Sequence, residues 1–375
     1  MDKAAHIAQS YQYAPTAEQL LFCNRMAGFL TQELDNTCFI LRGYAGTGKT
    51  TSVAALVKAL PLFKLRAVLL APTGRAAKVI SNYSGRMALT IHKKIYRKRT
   101  AVSTELAFQL APNLAEHTVF IIDEASMIAD EWNTQNGSSF LKDLMEFVYN
   151  GKNCAVIFVG DTAQLPPVGS LESPALNASY IAKNFNKRVT EVELREVVRQ
   201  EKTSGILANA TMLRDLINSY ENPEEIDFED EDADFEPGVP LPKFVTESYK
   251  DIFRMTGLKL VEGLEYAYRK FDMENSLVVC RSNKAANVYN QQIRTRLLYR
   301  EEELTGGDQI MVVRNNYFWL PDNESTSFIA NGDMARITRV RNEEERYGFR
   351  FSEVQMEFLD YPDAGAITCK VMLDT

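Results

Sequence analysis

Metal-ligand spacing is missing from this sequence. Its five cysteines (Cys23, Cys38, Cys154, Cys280 and Cys369) are scattered, with no C-x-x-C pair. That argues against a zinc site or a disulfide framework and suits a reducing compartment. The three histidines are equally dispersed, so no metal cluster is expected from them. No apolar run approaches the ~18–20 residues needed to span a bilayer. The opening MDKAAHIAQSYQYAP also lacks the apolar stretch of a signal peptide. The expectation is a cytoplasmic chain with no membrane partner.

Cationic residues are missing from one stretch altogether. Glu221–Glu236 (ENPEEIDFEDEDADFE) holds ten carboxylates and no Lys or Arg. That is the composition of a solvated loop; mimicry of nucleic-acid charge, or a partner site, is the functional alternative. Without those ten charges the net charge of −8 becomes +2, so an acidic total does not exclude DNA or RNA. A length of 375 residues, 45% of them hydrophobic, exceeds one ordinary core and points to two or three globular domains.

What is present is organised around Cys38–Ser52, CFILRGYAGTGKTTS. The apolar run Cys38 to Leu41 reads as a buried strand. It breaks into Gly43-Tyr44-Ala45-Gly46-Thr47-Gly48-Lys49-Thr50, and a helical pattern follows from Thr51 to Leu60. This fits G-x-x-x-x-G-K-[ST] with a strand before it and a helix after it. Glycines let successive backbone N–H groups turn inward around phosphate oxygens, and the helix N-terminus adds partial positive charge. Lys49 is placed to reach β/γ-phosphates and the Thr50 hydroxyl to hold Mg²⁺. Gly43, Ala45, Gly46, Thr47, Gly48 and Thr51 line the same cradle, which reads as a nucleoside triphosphate site.

Upstream, Thr16 and Gln19 form a capping box that opens a helix, with Leu20, Leu21, Met26, Phe29 and Leu30 as its apolar face. Gln19 carries two readings, the box alone or an amide that meets an adenine edge. Downstream, the β-rich Leu65–Leu70 ends in APTGRAA, and polar groups at such strand ends are where open α/β sheets bind ligands. Five cations then fall within Lys93–Arg99, a phosphate-contacting pattern whose plain alternative is a solvated helix face. Residues 100–117 break the alternation as a small excursion from the sheet.

The strand Val119–Ile122 delivers Asp123 and Glu124. Asp123 suits support of Mg²⁺ through water, and Glu124 suits polarisation of an attacking water. Cys154–Gly160 is a further buried strand, leading to Asp161-Thr162-Ala163-Gln164-Leu165-Pro166-Pro167. Gln164 both donates and accepts, as a γ-phosphate sensor must. Arg199 is the candidate arginine finger and Arg195 the second choice. A second α/β unit is expected to begin with a strand at Leu277–Cys280, followed by a helix through Ala285–Leu298. Four β-strands come next at Gln309–Val313, Met334–Val340, Phe349–Phe358 and Ala366–Met372, with Arg341–Arg346 as a hairpin tip. The fold class is α/β: a P-loop NTPase with parallel sheets.

GYAGTGKTT, APTGRAA, TIH, IIDEASM, VGDTAQLPP, LREVVRQ, CRSN, GDQIMVVRN and NGD occur in this order, and over roughly residues 15–340 the chain resembles superfamily 1 helicases. It is most similar to their RecD-like and Dda-like branch, which moves 5′→3′ on single-stranded DNA. The resemblance implies a RecA-like ATP-binding domain (1–92 and 118–205) with a pin-like hairpin insert (93–117). It further implies a connecting region (206–275), the start of a second RecA-like domain (276–340) and part of an SH3-like β-rich insert (341–375). It implies ATP and Mg²⁺ as cofactors and single-stranded DNA as partner. A monomer is expected, working beside replication or repair proteins.

By the same resemblance Gln19 reads adenine, Lys49, Glu124, Gln164 and Arg199 are catalytic, and Thr50 and Asp123 serve the metal. Pro72, Thr73, Thr90, His92, Asn283 and Asn331 line the DNA strand in that resemblance, and Lys93 is added to them from the basic run. The branch's later H-K-[SA]-Q-G and T-A-[VL]-T-R-A motifs do not occur before Thr375, so the chain is expected to be a fragment or a shortened relative with impaired turnover. Two other functions compete. One is an ATP-binding module that grips DNA or a partner without turnover. The other is a small-molecule kinase, in which GDTAQLPP and TIH have no role.

Overall fold

The computed structural model describes residues 2–98, 108–130, 132–133, 138–167, 169–170, 172–196, 204–221, 242–273, 275–313, 329, 332–359 and 365–373. Arg199, Asn331 and residues 222–236 of the acidic tract lie outside the described residues.

The chain opens with α1 (Lys3–Gln9) and α2 (Ala17–Leu30). Both hydrogen bonds of the expected capping box are made: Thr16 accepts from the Gln19 N–H, and the Gln19 side chain accepts from the Thr16 N–H. The buried face of α2 is Gln19, Phe22, Cys23, Met26, Phe29 and Leu30. Leu20 and Leu21, expected on that face, are 44% and 49% exposed. Buried positions advance by three or four residues, and 20 and 21 fall on the far side of that stripe. The patternless stretch before it supplies α1, which buries Ala4 and Ile7.

There follow β1 (Thr37–Gly43), α3 (Lys49–Ala59), β2 (Arg66–Ala71), α4 (Gly74–Ser84), β3 (Ala88–Thr90) and α5 (Ile91–Ile95). Next come β4 (Tyr96–Lys98), β5 (Phe108–Leu110), β6 (Glu116–Ile122), β7 (Trp132–Asn133), β8 (Ser138–Ser139), α6 (Phe140–Tyr149), β9 (Lys152–Gly160), α7 (Ala178–Phe185) and β10 (Arg188–Leu194). Six of these strands form one sheet in the order β10-β1-β9-β6-β2-β3, every pairing parallel. β4 and β5 pair as a small antiparallel hairpin. Lys93 and Lys94 of the basic run therefore fall on the short α5 and Arg97 and Lys98 on the strand β4, rather than on one helix face, while Arg99 lies outside the described residues.

Alternation along the strands divides the core in two. Phe39, Leu41, Val119, Ile121, Ile157 and Val159 pack on one face with Phe22, Val53 and Leu56 from α2 and α3. Cys38, Ile40, Phe120, Ile122, Val156 and Phe158 pack on the other with Leu141, Leu144 and Ile181 from α6 and α7. Helices cover both faces, as continuous apolar strands require.

Residues 200–303 form a separate unit with α8 (Gly205–Glu221), α9 (Leu260–Phe271) and α10 (Asn283–Gln292). The strand expected at Leu277–Cys280 is not formed, and Leu277 and Val279 are 78% and 87% exposed. No described strand pairs with this stretch, and a β-run without a neighbour has no ladder to hold it. The expected helix through Leu298 ends at Gln292 and passes into a π-helical turn, Ile293–Leu297.

β11 (Gln309–Met311), β12 (Met334–Arg346), β13 (Phe349–Phe358) and β14 (Ala366–Met372) form an antiparallel sheet in sequence order, around Ile337, Val354, Met356 and Phe358. Arg341–Arg346 is not the hairpin tip, because β12 runs through it. The turn is Tyr347-Gly348, both with positive φ (55° and 78°). Ion pairs of Glu344 with Arg346 (3.1 Å) and Lys370 (2.5 Å) let this charged segment remain a strand. The domain boundary expected at 340/341 falls inside that strand. Among the described residues no helix is long and apolar enough to cross a membrane.

The α2 correction yields a prediction. Phe22→Ala should lower unfolding stability by about 3–5 kcal/mol, whereas Leu21→Ala should stay within about 0.5 kcal/mol. Urea unfolding followed by circular dichroism checks the pair, and equal losses would contradict this packing.

Candidate functional site

Parallel register brings the strand ends together. Arg42 pairs with Gly160 and Gly43 with Leu194, while Ile122 pairs with Phe158. The loop after β1, the Asp123-Glu124 pair after β6 and Asp161 after β9 therefore leave the sheet at one edge. Leu70 pairs with Ile122 and Ala71 with Thr90, which puts Pro72, Thr73, Ile91 and His92 on that same edge.

The loop Gly43–Thr50 is shaped by close approach. A Cβ on Gly43 would meet the Leu194 carbonyl and Thr47 Oγ1 at 2.7 Å, so only glycine fits. Gly46 and Gly48 take φ of 82° and 88°, a region that side chains disfavour. Helix α3 starts at Lys49 with no side-chain cap, leaving its first-turn N–H groups to an anion. The loop is also braced from outside. Tyr11 donates to Ser52 Oγ (2.8 Å), and Ser52 donates to the Gly48 carbonyl (2.9 Å). Gln19 Nε2 donates to the Thr47 carbonyl (3.4 Å), and Thr47 Oγ1 donates to the Tyr44 carbonyl (2.8 Å). Gln19 thus serves its capping box and the loop with one buried amide.

Lys49 Nζ donates to the carbonyls of Gly43 (2.5 Å) and Tyr44 (3.0 Å), and lies 3.7 Å from Asp161 Oδ2. Burial pulls its pKa down against the opposing charges of Asp161, Glu124 and Asp123. Burial pushes the Asp123 carboxyl up to about 6, with the Glu124 N–H and Lys49 working against the rise. Both shifts favour neutral forms. An anion beside Lys49 and a divalent cation beside Asp123 relieve both, and Thr50 sits one residue on, in the first turn of α3. A polyphosphate with its metal therefore fits these residues.

Glu124 is held at φ 54°, ψ 39°, in the left-handed region unusual for a non-glycine residue. Such a conformation costs about 1–2 kcal/mol and concentrates at functional sites. Its N–H donates to Asp123 Oδ1 (3.0 Å), and its carbonyl accepts from Met127 (3.1 Å). Two residues on, buried Ser126 donates to Gln164 Oε1 (3.1 Å), tying the turn after β9 to the turn after β6.

On the β2–β3 side, the Thr73 and Thr90 hydroxyls accept from the N–H groups of Ala76 and Lys93, capping α4 and α5. His92 is stacked on Phe140 at 4.5 Å and 18°, rather than standing free at the surface. Burial lowers its pKa to about 4, so the ring is neutral at pH 7. Gly332 lies against Thr73, a Cβ there falling 3.8 Å from Thr73 Cβ. Asn283, exposed at the start of α10, belongs to the other unit.

Three residues were not singled out from sequence. Ser126 and Asp161 follow strand ends; Asp161 holds the position after β9 that Asp123 holds after β6, which was a usable signal. Glu18 Oε2 accepts from the N–H groups of Arg195 (2.6 Å) and Glu196 (2.7 Å), fastening the chain leaving β10 to α2. The Arg195 guanidinium itself pairs with Glu193 at 2.8 Å.

His92 supplies a pH prediction. Its folded pKa lies below the ordinary 6.5, so the folded state resists protonation and loses stability as pH falls from 6.5 toward 4. Asp123, shifted upward, works in the opposite sense as pH falls through 6. The difference between wild type and His92→Phe isolates the imidazole. At pH 5 the variant should recover about 1–2 kcal/mol relative to pH 7, read by thermal melting at both pH values; parallel curves would contradict the burial.

A family profile described as an AAA domain matches residues 28–229. The chain is 27% identical over 305 residues to the ATP-dependent DNA helicase dda of Enterobacteria phage T4, covering 79% of this chain and 62% of that one. It is 32% identical over 184 residues to the ATP-dependent RecD2 DNA helicase of Deinococcus radiodurans, covering 49% and 22%. Among solved structures, a Bacteroides Pif1 helicase in complex with ADP-AlF3 and ssDNA is similar at TM-score 0.39 and 16% identity, covering 95% of this chain and 74% of that one. The chain spans 62–64% of the length of the first curated relatives it matches. With its phosphate loop and paired carboxylates at one sheet edge, the chain belongs to the AAA-domain family, and its sequence is similar to those of the dda and RecD2 DNA helicases.

Proposed function

We propose that the protein is an ATP-dependent translocase and helicase on single-stranded DNA, moving 5′→3′. The observation that carries this reading is the shared edge: phosphate-facing groups at the ends of β1, β6 and β9 adjoin Pro72, Thr73, Thr90 and His92 at the ends of β2 and β3. Family resemblance alone supplies the polarity.

In this reading Gly43, Ala45, Gly46, Thr47, Gly48 and Thr51 wrap the phosphates of ATP. Lys49 neutralises their β/γ oxygens, and Gln19 offers its amide to the adenine. Thr50 and Asp123 hold Mg²⁺, which supplies positive charge to the same oxygens. Glu124, fixed in its left-handed turn, takes a proton from the attacking water, and Gln164 orients that water. Arg199 stabilises charge on the transferred group. Thr73, Thr90, Lys93, Asn283 and Asn331 contact the strand, and neutral His92 offers a stacking face.

Two variants test the roles. Lys49→Ala removes a charge-assisted contact and should weaken binding of a fluorescent ATP analogue by about 10–100-fold. Glu124→Gln keeps shape and hydrogen bonding, so binding should persist while single-strand-stimulated hydrolysis falls by about 10²–10⁴. Wild-type hydrolysis indifferent to single-stranded DNA, or equal loss of binding in both variants, would contradict this function.

A further inference from the structure

The ion pair between Lys49 and Asp161 has no part in the hydrolytic roles assigned to Lys49, Glu124 and Gln164. Asp161 is 4% exposed and stands directly after β9, beside the start of the phosphate loop. Its two carboxylate oxygens do different work. Oδ1 accepts from the Ala163 N–H at 2.9 Å, fixing the turn, while Oδ2 faces Lys49 Nζ at 3.7 Å. The Asp161 carbonyl accepts from the Gln164 N–H at 3.2 Å, and Gln164 Oε1 accepts from Ser126. Behind the turn, a Cβ on Gly160 would meet Leu176 at 2.7 Å and the Ser126 N at 3.1 Å, so the strand end is closely packed. Pro166 and Pro167 stiffen the far end of the turn.

We infer that Asp161 is a positioning residue that competes with nucleotide phosphate for the Lys49 ammonium, and that handing Lys49 from one to the other couples nucleotide binding to the Asp161–Pro167 turn. This rests on the reading of Gly43–Thr50 as a nucleotide site. The competition is electrostatic. Lys49 is the counter-charge for Asp161 and is also the group that phosphate requires. A phosphate drawn to Lys49 approaches a buried carboxylate of its own sign and removes that carboxylate's counter-ion. A buried charge without a partner is unfavourable, so the turn adjusts as Lys49 leaves. Gln164 rides on that turn through the Asp161 carbonyl, so the adjustment reaches the residue that senses phosphate.

A plainer role for Asp161 is to cap its own turn through Ala163. Asp161→Asn separates the two, because the amide oxygen still accepts that N–H while the charge is gone. The probe is a fluorescent ADP analogue with Mg²⁺, titrated at equilibrium against wild type and Asp161→Asn. Removing the competitor should tighten binding about fivefold or more, the scale of a coupling between sites. A structural defect lowers affinity, so it cannot imitate this gain. The second measurement is amide hydrogen exchange at Ala163 and Gln164, which should change in wild type on adding ADP and Mg²⁺, and change less in the variant. Unchanged or weaker binding by a folded Asp161→Asn overturns the inference and leaves the nucleotide site standing. Exchange at Ala163 and Gln164 that ignores bound nucleotide in wild type overturns it too, even if the variant does not fold. Failure of wild type to bind the analogue overturns both readings.

Discussion

Parallel pairing of six strands is the constraint on which the rest of this molecule depends. A parallel sheet sends every strand's C-terminal end to one edge, and loops there carry whatever chemistry the sequence places after each apolar run. Here those positions hold Tyr44, Pro72, Ile91, Asp123, Asp161 and Arg195. Residues far apart in sequence become neighbours because Arg42 pairs with Gly160 and Ile122 with Phe158. A register slip in β9 would turn its core residues to the opposite face and carry Asp161 away from Lys49.

Electrostatics at this edge is unbalanced by design of the fold. One ammonium, Lys49, answers to Asp123, Glu124 and Asp161 in a site largely removed from water. Burial lowers the pKa of Lys49 and raises that of Asp123, each toward its uncharged form. A bound polyphosphate with a divalent cation adds the charges both groups need. Glu124 contributes differently, through a backbone held left-handed between the Asp123 carboxylate and the Met127 N–H. Around this centre, α2 acts as a brace. Its first turn grips the phosphate loop through Gln19 and the chain after β10 through Glu18, while Tyr11 and Ser52 support Gly48.

Much of this was legible in the sequence because the strands are apolar on both faces and end abruptly in glycine, proline or acid. The bounds of β13 and β14 were read directly, since alternating residues and turn signals mark both ends of each. What escaped the sequence depends on tertiary contact. The stretch before Thr16 shows little periodicity, yet Ile7 is fully buried because α2 and α3 offer a surface for it. Leu20 and Leu21 are apolar but lie off the buried stripe. Leu277–Cys280 has strand composition and no described strand beside it, so composition alone misled. Arg341–Arg346 looked like a tip because charge usually marks turns; its ladder with β13 runs on to Arg346, and Glu344 reaches Lys370 of β14. Asp161 was hidden by its neighbour Gln164, and only its distance to Lys49 shows its part.

The central claim is that the edge formed by β1, β6 and β9 holds a nucleotide with its terminal phosphate between Glu124 and Gln164. A crystal structure with ADP, Mg²⁺, a fluoroaluminate and a thymidine oligonucleotide tests it most directly. The account predicts Lys49 Nζ on the phosphate oxygens, the metal on the side of Thr50 and Asp123, and Gln164 turned from Ser126 toward the fluoroaluminate. A nucleotide bound elsewhere, or one bound in the loop while Lys49 and Gln164 keep their present partners, would contradict it.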